Sequence, residues 1–154
     1  MKRTAVLGIG NILMSDDGIG VRVVQKLEEK SSLPQVELVD GGSSTMDMLG
    51  LFLTCDRIIV VDSLRGGHPP GTVYRITPAE LGSYSNGFNV SLHDVQILDL
   101  VRISAMLGKS PEVTIIGIEP EEICESMELS PGLEASLPRL IELVEAEASK
   151  MMSK

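Results

Sequence analysis

Arg57-Ile58-Ile59-Val60-Val61-Asp62 carries the strongest structural signal in the chain. Four β-branched residues in a row, with no polar interruption, suit a strand covered on both faces inside a parallel sheet. Near the start of the chain, Ala5-Val6-Leu7-Gly8-Ile9 is a second buried run, closed by Gly10-Asn11. Val36-Glu37-Leu38-Val39 is a third, stopped by Asp40-Gly41-Gly42, and Val113–Ile118 is a fourth. Thr72-Val73-Tyr74-Arg75-Ile76 alternates instead, as a half-exposed antiparallel edge strand does. Helical spacing falls between the strands. Ile19, Val23 and Leu27 recur before Pro34, and a short helix is expected over Thr45–Leu53. After an irregular stretch through Asn86-Gly87, Ser91-Leu92-His93-Asp94 reads as a capping box that opens a helix to about Leu107, ended by Gly108. Leu137, Leu140, Ile141 and Val144 mark the last helix. Pro131 and Pro138 leave two starts open for it: one kinked helix from Ser130, or a shorter one capped near Ser136. Strand–helix alternation predicts a three-layer α/β/α sandwich, with a mostly parallel twisted sheet of about five strands and one antiparallel edge strand. Residues 1–154 are expected to form one domain, with a loose tail from about 149.

Composition bounds the function. The 154 residues are 43% hydrophobic and 23% charged, so the chain carries a packed core rather than disorder. A net charge of −9 repels phosphate backbones and anionic membrane surfaces, and 3% aromatics leave no stacking platform for single-stranded nucleic acid. Nine acidic and three basic residues follow from Glu119 onward, read as a solvated face. Cys55 and Cys124 lack metal-site or disulfide spacing and read as small buried hydrophobes. No apolar stretch is long enough to span a bilayer or to form a signal peptide, so a cytoplasmic location is expected.

In open α/β sheets, functional groups gather beyond the carboxyl ends of the strands. The first strand leads to Ser15-Asp16-Asp17-Gly18-Ile19-Gly20, the second to Asp40 and the third to Asp62, while His93 opens a later helix. Gly8-x-Gly10 suggests a dinucleotide fingerprint, but Leu13 stands where its third glycine belongs, and the acidic pair would repel a pyrophosphate. There is no Walker lysine. Asp16 and Asp17 can cap a helix, yet one acid suffices for that. Asp62, after four apolar residues, needs a partner such as a cation, unless it caps a helix or forms a turn. A helix N-terminus favours the neutral His93 ring that binds metals, although Asp94 opposes this. His68, in a Gly/Pro loop, reads as solvent-exposed without a partner. Two carboxylates and an imidazole suit Ni(II) or Zn(II) with open positions, whereas Ca²⁺ or Mg²⁺ would want more oxygens.

Gly8-Ile9-Gly10-Asn11-Ile12-Leu13-Met14-Ser15-Asp16-Asp17-Gly18-Ile19-Gly20 resembles the opening motif of the hydrogenase maturation proteases. Asp40-Gly41-Gly42, the strand ending in Asp62, the Pro70-Gly71-Thr72 turn, His93, Gly117-Ile118-Glu119-Pro120 and Leu129-Ser130-Pro131 extend the resemblance over nearly the whole chain. It implies Asp17, Asp62 and His93 as metal ligands and catalytic residues, with Asp16 and Asp40 as supporting acids. Many members of that family carry Glu where this chain has Asp17, one methylene shorter. The resemblance further implies an endopeptidase that removes a C-terminal extension from a nickel–iron hydrogenase large-subunit precursor. Nickel would arrive with the precursor, and ions such as Zn or Cd could occupy the same site. Metal-assisted and carboxylate-driven, aspartic-type hydrolysis both remain open, as does a non-enzymatic nickel-binding chaperone or checkpoint factor. No G-x-S-x-G elbow is present to support a covalent nucleophile. All of these readings need residues 17, 62 and 93 to meet around one cleft.

Overall fold

The structure is a computed structural model that describes residues 2–83 and 88–153, so the stretch at Asn86-Gly87 lies outside the described residues. Its elements are β1 (Thr4–Ile9), α1 (Ile19–Lys30), β2 (Glu37–Gly42), α2 (Leu49–Thr54), β3 (Arg57–Ser63), β4 (Val73–Ile76), α3 (Pro78–Leu81), α4 (Leu92–Met106), β5 (Glu112–Ile118) and α5 (Pro131–Met152). Short 3-10 turns over Ser15–Gly18 and Thr45–Met48 precede α1 and α2. The sheet runs β2-β1-β3-β5-β4; all pairs are parallel except β4 with β5. The expected mixed sheet, with its antiparallel edge at 73–76, is what forms.

Alternation along the central strands feeds two cores. Val6, Ile59, Val61, Ile116 and Ile118 pack with α1 and α5, while Leu7, Ile58, Val60 and Ile115 pack with residues of α2 and α4. The chain leaves β1 for β2 on one side, and β3 lies on the other. The crevice where strand order reverses therefore opens between the carboxyl ends of β1 and β3.

Glycines press α1 into that crevice. A Cβ on Gly20 would overlap the Val61 carbonyl, and one on Gly10, which sits at φ 128°, would overlap the Asp17 carbonyl. Close packing of a helix start on two strand ends, rather than phosphate binding, accounts for these glycines. Gly20→Ala is expected to cost about 3 kcal/mol, because a main-chain carbonyl cannot rotate away as a side chain can. Urea denaturation checks this, and a loss below about 1 kcal/mol would contradict the packing argument.

Several boundaries differ from expectation. Helix α1 ends at Lys30 with Ser31 left-handed at φ 52°, before Pro34 is reached. Strand β2 runs through Asp40-Gly41-Gly42 rather than stopping there, since Asp40 pairs with Gly8 and Gly42 with Ile9 across a bulge. The last helix starts at Ser130, whose hydroxyl accepts from the Leu133 N–H, and it continues past Pro138. The loose tail expected from about 149 is helical to Met152, because Met151 is buried in the core shared by α1 and α5. Cys55 is buried as expected; Cys124 is only partly so, and both are free thiols. No helix among the described residues is long and apolar enough to cross a membrane.

Candidate active site

Asp17 leaves the 3-10 turn after β1 on one side of the crevice. Its neighbour Gly18 takes the N-cap position of α1 without a side-chain bond, so neither Asp16 nor Asp17 caps that helix. Instead, Asp17 Oδ2 accepts the Asn11 N–H at 2.9 Å, which closes the loop 11–17 on itself. Opposite stands His93 in the first turn of α4. That turn is set by the expected capping box: Asp94 N–H donates to Ser91 Oγ at 3.3 Å, and Ser91 N–H donates to Asp94 Oδ2 at 2.9 Å. His93 Nε2 lies 3.8 Å from Asp17 Oδ2, an ion-pair distance too long for a hydrogen bond. On its other side, Nδ1 is 3.5 Å from the hydroxyl of the fully buried Thr45.

Asp62 sits at the end of β3 and is only 2% exposed. Its Oδ1 accepts the Ser63 N–H at 2.8 Å, but Oδ2 is buried with no hydrogen-bond partner. Burial first, then the charges of Asp94 and Asp17, push this carboxyl well above the usual carboxylate range. Asp94 is raised as well, mainly by its own burial. Burial pushes Asp17 upward too, but the His93 ring and the Asn11 N–H outweigh it and leave its carboxyl low. His93 is raised, chiefly by Asp17, a pull opposite to that of the helix N-terminus. The crevice thus holds an ionised acid beside an imidazole drawn towards its charged form, and a buried acid drawn towards its neutral one. Groups with such opposed tendencies can give and take protons in acid/base chemistry.

The two supporting acids part company. Asp16 is fully buried: Oδ1 accepts from Ser130 N at 2.8 Å, and Oδ2 from Glu121 N, Glu122 N and Ser130 Oγ at 2.7–2.9 Å. Its carboxylate anchors the 119–130 segment to the site loop. Asp40 is exposed, accepts from its own Gly42 N–H at 2.9 Å, and borders a groove of about 310 Å³ with Asn11, Leu13, Val21 and Ser43. Among the described residues, no three His, Cys, Asp or Glu side chains form a ready-made metal cage. The donor chemistry of Asp17, His93 and the unpartnered Asp62 oxygen nevertheless fits a borderline divalent ion that brings further ligands of its own.

The sequence profile of the hydrogenase maturation proteases matches residues 21–147. The chain belongs to the hydrogenase maturation protease family. Hydrogenase 2 maturation protease of Escherichia coli (strain K12) is 33% identical over 145 residues, covering 92% of this chain and 88% of that one. The solved structure of the hydrogenase maturating endopeptidase HybD from E. coli superposes with a TM-score of 0.84 at 30% identity, covering 97% of this chain and 93% of that one. The [NiFe] hydrogenase maturation protease HybD from Thermococcus kodakarensis gives a TM-score of 0.78 at 26% identity, with coverages of 95% and 99%. Other curated relatives are longer, and this chain spans only 54% to 64% of their length.

Thr45 and Ser63 also belong to the site, although the sequence does not single them out. Ser63 donates its N–H to Asp62, and its hydroxyl helps to keep the Asp17 carboxyl low. No local pattern marks either hydroxyl, because each acts on a side chain from another part of the fold. Asp94 was legible as a capping acid but not as a charge acting on Asp62. His68 is exposed as expected, yet it has a partner: its Nδ1 lies 3.2 Å from the Tyr74 hydroxyl.

Proposed function

We propose that this chain is the endopeptidase that removes the C-terminal extension of a nickel–iron hydrogenase large-subunit precursor once nickel has been inserted, recognising the bound nickel through Asp17, Asp62 and His93. One observation carries the reading: Asp62 keeps a carboxylate oxygen buried and unpartnered in the field of two other acids. An oxygen so placed gains from a proton or a cation, and it costs stability without one. An incomplete donor set also suits an ion that arrives with the substrate better than one resident in the enzyme. Family membership and the similarity to the E. coli and T. kodakarensis maturation proteases point the same way.

In this reading nickel, as part of the substrate, supplies positive charge beside the scissile segment. The chain's own residues do the rest. Asp17 and His93 orient the bound centre, and the Asn11 N–H keeps Asp17 facing the cleft. A neutral Asp62 donates a proton, or an ionised one accepts a proton from water. Leu13, Met46 and Leu92, which are exposed beside Asn11, Thr45 and His93, offer apolar contact to a protein partner. A cytoplasmic location is part of the same proposal.

Incubation of the protein with nickel-loaded and nickel-free precursor, followed by intact mass measurement, tests this. Shortening of the loaded precursor alone is expected. Equal shortening of both would overturn nickel recognition, and binding without shortening would identify a checkpoint factor instead.

A further inference from the structure

Gly117-Ile118-Glu119-Pro120 has no part in the chemistry above, yet its glutamate is 6% exposed and heavily engaged. Glu119 Oε1 accepts the Gly66 N–H at 2.8 Å, the His68 N–H at 3.3 Å and the Tyr74 hydroxyl. The Glu119 main chain grips the far end of the same segment, since Gly71 N–H donates to its carbonyl and its own N–H donates to Thr72. Residues 64–72 are therefore strapped at both ends by one residue.

That segment links the two halves of the site. It begins directly after Asp62-Ser63, with Leu64 N–H bound to the Ile118 carbonyl at 2.9 Å. Its Arg65 carbonyl accepts the Asn89 N–H at 2.8 Å, two residues before the Ser91 cap of the helix that carries His93. Phe88 packs edge-on against Tyr74 with ring centres 5.2 Å apart, tightening the same connection. There is no slack at the centre, because a Cβ on Gly66 would overlap the Tyr74 hydroxyl. Burial and the Glu119 carboxylate push the Tyr74 hydroxyl up to about 12, so it stays a donor at any physiological pH.

We infer that Glu119 and Tyr74 are positioning residues for the reaction: through segment 64–72 they set the Asp62 end of β3 against the His93 end of α4, touching neither. This rests on the reading that Asp62 and His93 act together. Misplacing one reacting group by about 1 Å costs about 10²-fold in rate.

The test uses the whole chain with Tyr74→Phe, Glu119→Ala and Glu119→Gln. With only two histidines, the ring signals in nuclear magnetic resonance are assigned by one further variant, His68→Gln. Tyr74→Phe and Glu119→Ala are expected to displace the His93 ring signals and to lower kcat on the loaded precursor about 10²-fold. KM should stay nearly unchanged, and Glu119→Gln, which keeps an acceptor oxygen, should recover most of the loss. Unchanged His93 signals and kcat, with only His68 and the 64–72 amides displaced, would overturn the inference. If Glu119→Ala does not fold, Tyr74→Phe decides. Should the unmodified chain fail to process any precursor, the proposed function falls, and the His93 signals alone support or overturn the coupling.

Discussion

Asp62→Asn is expected to cripple precursor processing and yet to make the protein more stable than the unmodified chain at alkaline pH. Both effects come from one buried carboxyl. In the folded state, burial and the neighbouring Asp94 and Asp17 charges hold this carboxyl well above the usual carboxylate range, whereas unfolding returns it to water. The folded state therefore binds the proton more tightly. Stability is fully present below the unfolded value and is lost as pH rises towards the raised folded one. Asparagine has nearly the same shape and no charge to bury, so this loss disappears. Denaturation curves of the two proteins should diverge steadily as pH rises above the ordinary carboxylate range. Processing should meanwhile fall by about 10²- to 10⁴-fold, the usual contribution of a positioned acid or base. Normal processing by the variant, or parallel stability profiles, would remove Asp62 from the chemistry. A residue that weakens the fold while serving the reaction is a common mark of a functional site.

What could be read from the amino-acid order follows the range of the interactions involved. Strands β1, β3 and β5 announce themselves because burial on both faces demands an unbroken apolar run. The α4 capping box does so because its partners lie three residues apart. The neighbouring acids Asp16 and Asp17 look alike in sequence, and each is equally able to cap a helix. What separates them is contacts from Ser130 and Glu121 to one, and from His93 to the other. The open choice between two starts for the last helix closes for the same reason. Ser130 wins over Ser136 because its hydroxyl both accepts from the Leu133 N–H and donates to Asp16. Likewise, the Tyr74–Glu119 pairing joins residues brought together only by β4 lying antiparallel on β5. Resemblance to the maturation proteases named Asp17, Asp62 and His93, but not the scaffold that orients them.

Asp16→Ala is expected to destabilise the fold by about 3–5 kcal/mol, because it removes the one acceptor that four donors share. Four donors converge on this carboxylate, three of them main-chain N–H groups from the segment that leads into α5. Deleting the acceptor leaves the buried Ser130 N–H and hydroxyl without a partner and frees the part-buried Glu121 and Glu122 N–H groups, at about 1–3 kcal/mol for each that finds no substitute. Partial relaxation of the exposed Glu121 and Glu122 keeps the total below the simple sum. Asp16→Asn should lose nearly as much, since its amide nitrogen would face donors rather than acceptors. Urea denaturation gives the stability of both variants, and processing is then measured at a temperature where each is still folded. A framework role predicts residual processing in proportion to the folded fraction. A well-folded, inactive Asp16→Ala protein would instead move Asp16 from the scaffold into the reaction, beside Asp17.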